Sequence, residues 1–149
     1  MNSKTAAAER LHYLCTTIPD KLNRITLVEF THKPNPDKWS KIEILGHLID
    51  SAANNHQRFV RLQFEHEPVI YYEQNEWVKN NYYTQYDPAE LIALWKQYNI
   101  FLANLIAKIP ENKMHAVCIL RNGESAQLSF IISDYVNHME YHLEQILAS

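Results

Sequence analysis

Two histidines near the end of the chain, His138 and His142, stand four residues apart in Asp134-Tyr135-Val136-Asn137-His138-Met139-Glu140-Tyr141-His142. At about 100° per residue this spacing puts both imidazoles on one helical face, one turn apart. One helix can grip one metal ion in this way. A catalytic zinc site usually takes three protein ligands and keeps a further position for water or substrate, so the pair needs a third donor from elsewhere. The metalloprotease pattern, in which a glutamate directly follows the first histidine, fails because that residue is Met139. Glu140 lies about 200° around the helix from His138, on another face.

Of the other histidines, His12, His47 and His56 fall inside helical stretches. From His47, steps of about 100° return Asp50, Ser51, Asn54 and Arg58 to within about 60° of it and carry His56 about 180° away. A polar stripe of this kind, if buried, costs stability unless its members are hydrogen-bonded or coordinate something. His47 facing His138 and His142 would make a three-imidazole set, which suits zinc and also nickel, iron or cobalt. A plainer reading stays open: histidines at i and i+4 also occur on solvent-facing helices, and a single interior histidine is commonly hydrogen-bonded packing.

Asp50 has two candidate roles, outer-shell partner or proton acceptor, beside an ordinary one as a hydrogen-bonded polar residue. Asn54 and Arg58 could orient an anionic substrate, although Arg58 equally suits a salt bridge within a bundle. Tyr71 and Trp77 are candidate substrate contacts that could also serve as cover for apolar surface. On the last helix, Asp134 and Gln145 share a line with His138 and His142.

The elements that position these residues read as helices. Leu11, Leu14, Ile18, Leu22 and Ile25 form a stripe in a first helical element, from about residue 4 to 30, that Pro19 interrupts. A loop with Pro34 and Pro36 follows, and Ser40 with Glu43 is a capping-box pattern that opens a second helix, expected from about 41 to 66 and stopped by Pro68. Residues 69–87 hold Tyr71, Tyr72, Trp77, Tyr82, Tyr83 and Tyr86 and predict a partly ordered flap over one end of the bundle. Asp87-Pro88-Ala89-Glu90 is a helix start, and Leu91, Leu94, Trp95, Tyr98, Leu102, Leu105 and Ile109 make the third stripe, ended by Pro110. Val117 to Leu120 followed by Asn122-Gly123 predicts a small hairpin or a loop, and Ser129 is a candidate cap for the final helix.

Composition agrees with an all-α class. The 149 residues, 46% hydrophobic, suit one domain over 1–149, and only two glycines leave few of the sharp turns that sandwiches and barrels need. The net charge of -3 gives no basic footprint, so nucleic acid is not an expected partner. No run of about 18 apolar residues and no secretory h-region is present, so a cytoplasmic protein without a membrane partner is expected. Cys15 and Cys118 lack metal or redox spacing and read as small buried hydrophobes.

Lys38-Trp39-Ser40 with Ile44-Leu45-Gly46-His47-Leu48-Ile49-Asp50-Ser51-Ala52, together with the closing helix from Asp134 to Ile146, resembles the signature of the DinB-like superfamily, which includes YfiT-type metal-dependent hydrolases and bacillithiol S-transferases. The resemblance spans nearly the whole chain. It implies an up-down-down-up four-helix bundle, often a homodimer, with zinc or nickel held by His47, His138 and His142. It further implies a metal-dependent enzyme acting on a small-molecule substrate, either a low-molecular-weight thiol S-transferase with a thiol cosubstrate or a hydrolase. The alternative is a non-catalytic stress-response protein that binds a metal or small ligand in the same pocket.

Overall fold

The computed structural model describes residues 3–148; Met1, Asn2 and Ser149, at the ends of the expected 1–149 span, lie outside it. Six helices and one short hairpin follow one another: α1 (Ser3–Leu22), α2 (Leu27–Thr31), α3 (Lys41–Arg61), α4 (Gln74–Asn80), α5 (Pro88–Lys108), β1 (Val117–Ile119), β2 (Ser125–Gln127) and α6 (Leu128–Leu147). The four long helices form the bundle. α1 packs against α5 and α6, and α3 packs against the same two, so α1 and α3 face each other diagonally.

Side-chain contacts set the directions. Lys4 at the start of α1 donates to the carbonyls of Ala107 and Ile109 at the end of α5, which makes these two helices antiparallel. Lys41 at the start of α3 donates to the Ala148 carbonyl just past α6, which makes that pair antiparallel too. Arg10 pairs with Glu140 at 2.8 Å, and Lys21 and Ala148 line one cleft, so α1 and α6 run side by side in the same direction. The result is the up-down-down-up bundle with a two-stranded antiparallel hairpin before the last helix. No helix among the described residues is long and apolar enough to cross a membrane.

Local chemistry explains most of the boundaries. Ser40 and Glu43 close a reciprocal capping box on α3, and Asp87 accepts from the Ala89 N–H ahead of Pro88 to start α5. In the hairpin loop, Asn122 and Gly123 both take positive φ, the backbone that an Asn-Gly pair tolerates best. The stripes meet in one core, where Leu11, Leu22, Ile42, Leu45, Leu48, Trp95, Leu102, Ile106 and Leu128 are fully enclosed. Leu94, assigned to the α5 stripe by spacing, is instead 48% exposed.

Three boundaries differ from the expectation. The first element breaks after Leu22 rather than at Pro19, which sits inside the last turn of α1, and Thr26 caps a separate α2. α3 ends at Arg61, five residues before the expected His66, because 62–65 wind into tighter turns and Glu67 adopts φ 43. Ser129 does not cap α6. Gln127 occupies the cap position without a side-chain bond, and the Leu128 and Ser129 N–H groups donate to the carbonyls of Ala116 and Met114 instead. In the 69–87 segment, expected as a partly ordered flap, the ordered parts are α4, a 3₁₀ turn at Tyr83–Gln85 and a bridge from Val69 to Ile119.

Candidate metal centre

The antiparallel pairing of α3 with α6 brings the first half of one helix beside the second half of the other, and the histidines meet there. His47 Nε2 lies 3.3 Å from His138 Nε2, and His142 Nε2 lies 3.1 Å from His138 Nε2. A ligand atom from each of the three rings falls within 4.8 Å of the others. His47 is 1% exposed, and the Trp39 ring covers it at a centroid distance of 4.8 Å. His56, opposite on α3, bonds Tyr98 of α5, and Glu140 pairs with Arg10, so both stand apart from the cluster.

Protonation favours donors. Burial, with a smaller contribution from the other two imidazoles, holds the His47 pKa down to about 3. Burial and His142 also lower that of His138, partly opposed by Asp134 one turn earlier. Gln145 Oε1 lies 2.7 Å from His142 Nδ1, while its amide nitrogen faces the Tyr141 hydroxyl. An amide oxygen only accepts, so in this orientation Nδ1 carries the proton and Nε2 turns a free lone pair toward the cluster. His47 Nδ1 has no protein partner.

The donor set fits a transition metal. Nitrogens bound at about 2.0–2.1 Å around a tetrahedral ion stand about 3.3 Å from one another, close to the two Nε2 separations observed. Neutral imidazoles without a thiolate or carboxylate suit zinc or nickel and do not choose between them.

Other sequence candidates divide. Asp50 is buried, and its Oδ1 accepts from Tyr83 Oη at 2.6 Å and from Asn81 Nδ2 at 2.9 Å, leaving Oδ2 without a partner. Burial pushes its carboxyl up to about 6 against the lowering effect of those two bonds. Asn54 turns back on its own helix, donating to the Asp50 carbonyl. Arg58 and Tyr71 line a cavity of about 250 Å³ that has His138 in its wall. Trp77 is outside that lining and packs edge-on against Tyr72, which belongs to it.

Sequence reasoning passed over Asn55 and Tyr72 in that cavity, and Trp39 above His47. Asn55 lies next to the polar stripe of α3, one position round from Asn54, and that adjacency was the available signal. Tyr72 and Trp39 sit in segments without periodicity; the aromatic crowding of 69–87 and the Lys38-Trp39-Ser40 signature were the signals there, and neither gave the residue a role at the site.

A sequence model of the DinB superfamily matches residues 6–146. A protein of Halalkalibacterium halodurans, provisionally named a metal-dependent hydrolase, is 25% identical over 139 residues, covering 88% of this chain and 79% of its own. YfiT from Bacillus subtilis, described as a probable metal-dependent hydrolase with an unusual four-helix bundle topology, superposes with a TM-score of 0.87 at 19% identity, over 96% of this chain and 83% of that one. A mycothiol-dependent maleylpyruvate isomerase superposes with a TM-score of 0.76 at 13% identity, over 96% of this chain and 60% of the other. The chain belongs to the DinB superfamily.

Proposed function

We propose that this DinB-superfamily protein is a metal-dependent enzyme whose ion is held by His47, His138 and His142, with zinc or nickel as the resident metal. The observation that carries the reading is the convergence of three imidazoles, one of them enclosed, beside a cavity that reaches His138. Bound there, the ion would act as a Lewis acid and lower the pKa of a coordinated nucleophile. The chain's own residues do the rest: Gln145 orients His142, Trp39 shields His47 from solvent, and the cavity receives a small molecule.

The reaction class in this reading is transfer from a low-molecular-weight thiol, or hydrolysis. The names of the relatives support both sides, since two refer to metal-dependent hydrolases and one to a thiol-dependent isomerase. Asp50 takes neither metal-site role in this reading but the ordinary one of a hydrogen-bonded polar residue. Its Oδ1 is engaged by Asn81 and Tyr83, it does not line the cavity, and it ties the 74–85 segment to the helix that bears His47. The homodimer that the resemblance implies belongs to the same proposal, and light scattering tests it.

Metal analysis of untagged protein tests the core of the reading: close to one zinc or nickel per chain is expected, falling to background in His138→Ala. Background metal in the wild type refutes it. Loaded protein is then offered thiol-plus-electrophile pairs and ester or amide substrates. Product from the first set alone assigns the transferase, product from the second alone the hydrolase, and saturable binding without product the non-catalytic alternative.

A further inference from the structure

The cavity beside His138 has a charge feature that metal binding does not use. Arg58 lines it from the far end of α3, and its guanidinium meets only neutral acceptors: Nη1 donates to Asn55 Oδ1 at 3.1 Å and Nη2 to the Ile70 carbonyl at 2.8 Å, while Nε is buried without a partner. Among the described residues it makes no ion pair. Arg121, the other cation in the wall, is already compensated by Glu73 at 3.0 Å and lies over the Tyr71 ring. Arg58 is half-buried, and an arginine that gives up hydration usually has a carboxylate or phosphate opposite it, because neutral acceptors repay less of what is lost.

We propose that this cavity is an anion subsite in which Arg58 receives a terminal carboxylate of an elongated small molecule whose other end reaches the histidine cluster. Arg58 follows His47 by eleven residues, about 16 Å of helix rise, and its side chain reaches back toward Asn55 to shorten the gap. Asp134 lines the same cavity one turn before His138, and its charge opposes an anion at that end. The two charges therefore set the direction of binding, with the anionic end at Arg58 and the uncharged or reacting end at the imidazoles. The subsite deepens the proposed function, resting on that reading only for which end reacts.

Calorimetric or NMR titration of metal-loaded protein with glutaramate (the monoamide, anionic at one end only), glutaramide and inorganic phosphate tests it. Saturable glutaramate binding is expected, with phosphate and the neutral diamide at least about tenfold weaker, and Arg58→Gln should weaken glutaramate at least about tenfold at unchanged metal content. Arg58→Lys covers the case in which the glutamine variant does not fold: lysine keeps the charge but loses the fork, so glutaramate should bind several-fold more weakly. Undiminished glutaramate binding in either variant, equal binding of the diamide, or no saturable binding to the wild type overturns the subsite. Phosphate binding more tightly than glutaramate overturns the carboxylate assignment. The same titration on chelator-treated wild type and Arg58→Gln separates the two ideas, because glutaramate binding that depends on Arg58 without metal upholds the subsite even where metal analysis of the untagged protein refutes the metal reading.

Discussion

Gly46 and Tyr83 are in direct contact, and a methyl group added to Gly46 would overlap the tyrosine ring, at 2.1–2.5 Å from three of its carbons. The neighbour of His47 in sequence thus supplies the space in which Tyr83 lies flat on α3 and donates to Asp50. Gly46 is helical here, so close approach, not backbone freedom, explains the residue.

Gly46→Ala should therefore destabilise the protein although alanine is the better helix former. The ring must move, Asp50 loses a donor, and overpacking of this kind costs about 1–3 kcal/mol. Thermal melts of variant and wild type decide it; an unchanged or raised Tm would show that Tyr83 yields freely.

Asp50→Asn should change how stability depends on pH in the metal-free protein. Burial raises the folded carboxyl to about 6, above the roughly 3.9 of an unfolded chain. Between those values the folded state keeps a proton that the unfolded state has lost, so stability falls as pH rises and the cost is complete above about 6. Relative to wild type the variant should gain up to about 3 kcal/mol between pH 4 and pH 7. Parallel stability curves across that range would rule the buried charge out as a cost.

The imidazoles give the opposite slope. His47 is held near 3 by burial, below the ordinary value of about 6.5, so on acidification the unfolded chain takes up a proton that the folded one refuses. In metal-free protein this contribution removes stability as pH falls from 7 to 4, against the gain from Asp50 over the same range, so the test is a difference: relative to wild type, His47→Gln should gain stability on acidification. Bound metal should leave over the same interval, because protonated imidazole does not ligate. Metal retained at pH 4 would argue against histidine ligation.

Gln145→Ala removes the group that fixes the His142 ring without touching a proposed ligand. Loss of such a partner typically lowers metal affinity about 10–100-fold, with little effect on the fold of an exposed last turn. Competition with a calibrated chelator measures it, and equal affinity would mean that His142 needs no orienting bond.

Much of this was legible in the chain because helices are local. The capping box at Ser40 and Glu43, the proline start of α5, and the angular placement of His47 against His56 follow from spacing within one element, and the bundle keeps all three. Where competition between elements decides, spacing was silent. Helical propensity carried α3 on to His66, but the chain turns after Arg61 so that Pro68 and Ile70 can bond Ile119. Ser129 looked like a cap, yet the segment from Met114 to Ala116 reached the free N–H groups first.

Periodicity in the sequence alone determined which residues share a face, and so which side chains could turn inward together. Tertiary structure alone decided what they meet. Asn81 and Tyr83 arrive at Asp50 from 31 and 33 residues away, and Arg58 ends against the Ile70 carbonyl without an ion pair among the described residues. The physical reason is that a helix sets the angle of a side chain by local hydrogen bonding, while its partner, its solvation and its charge balance depend on segments that only packing brings near.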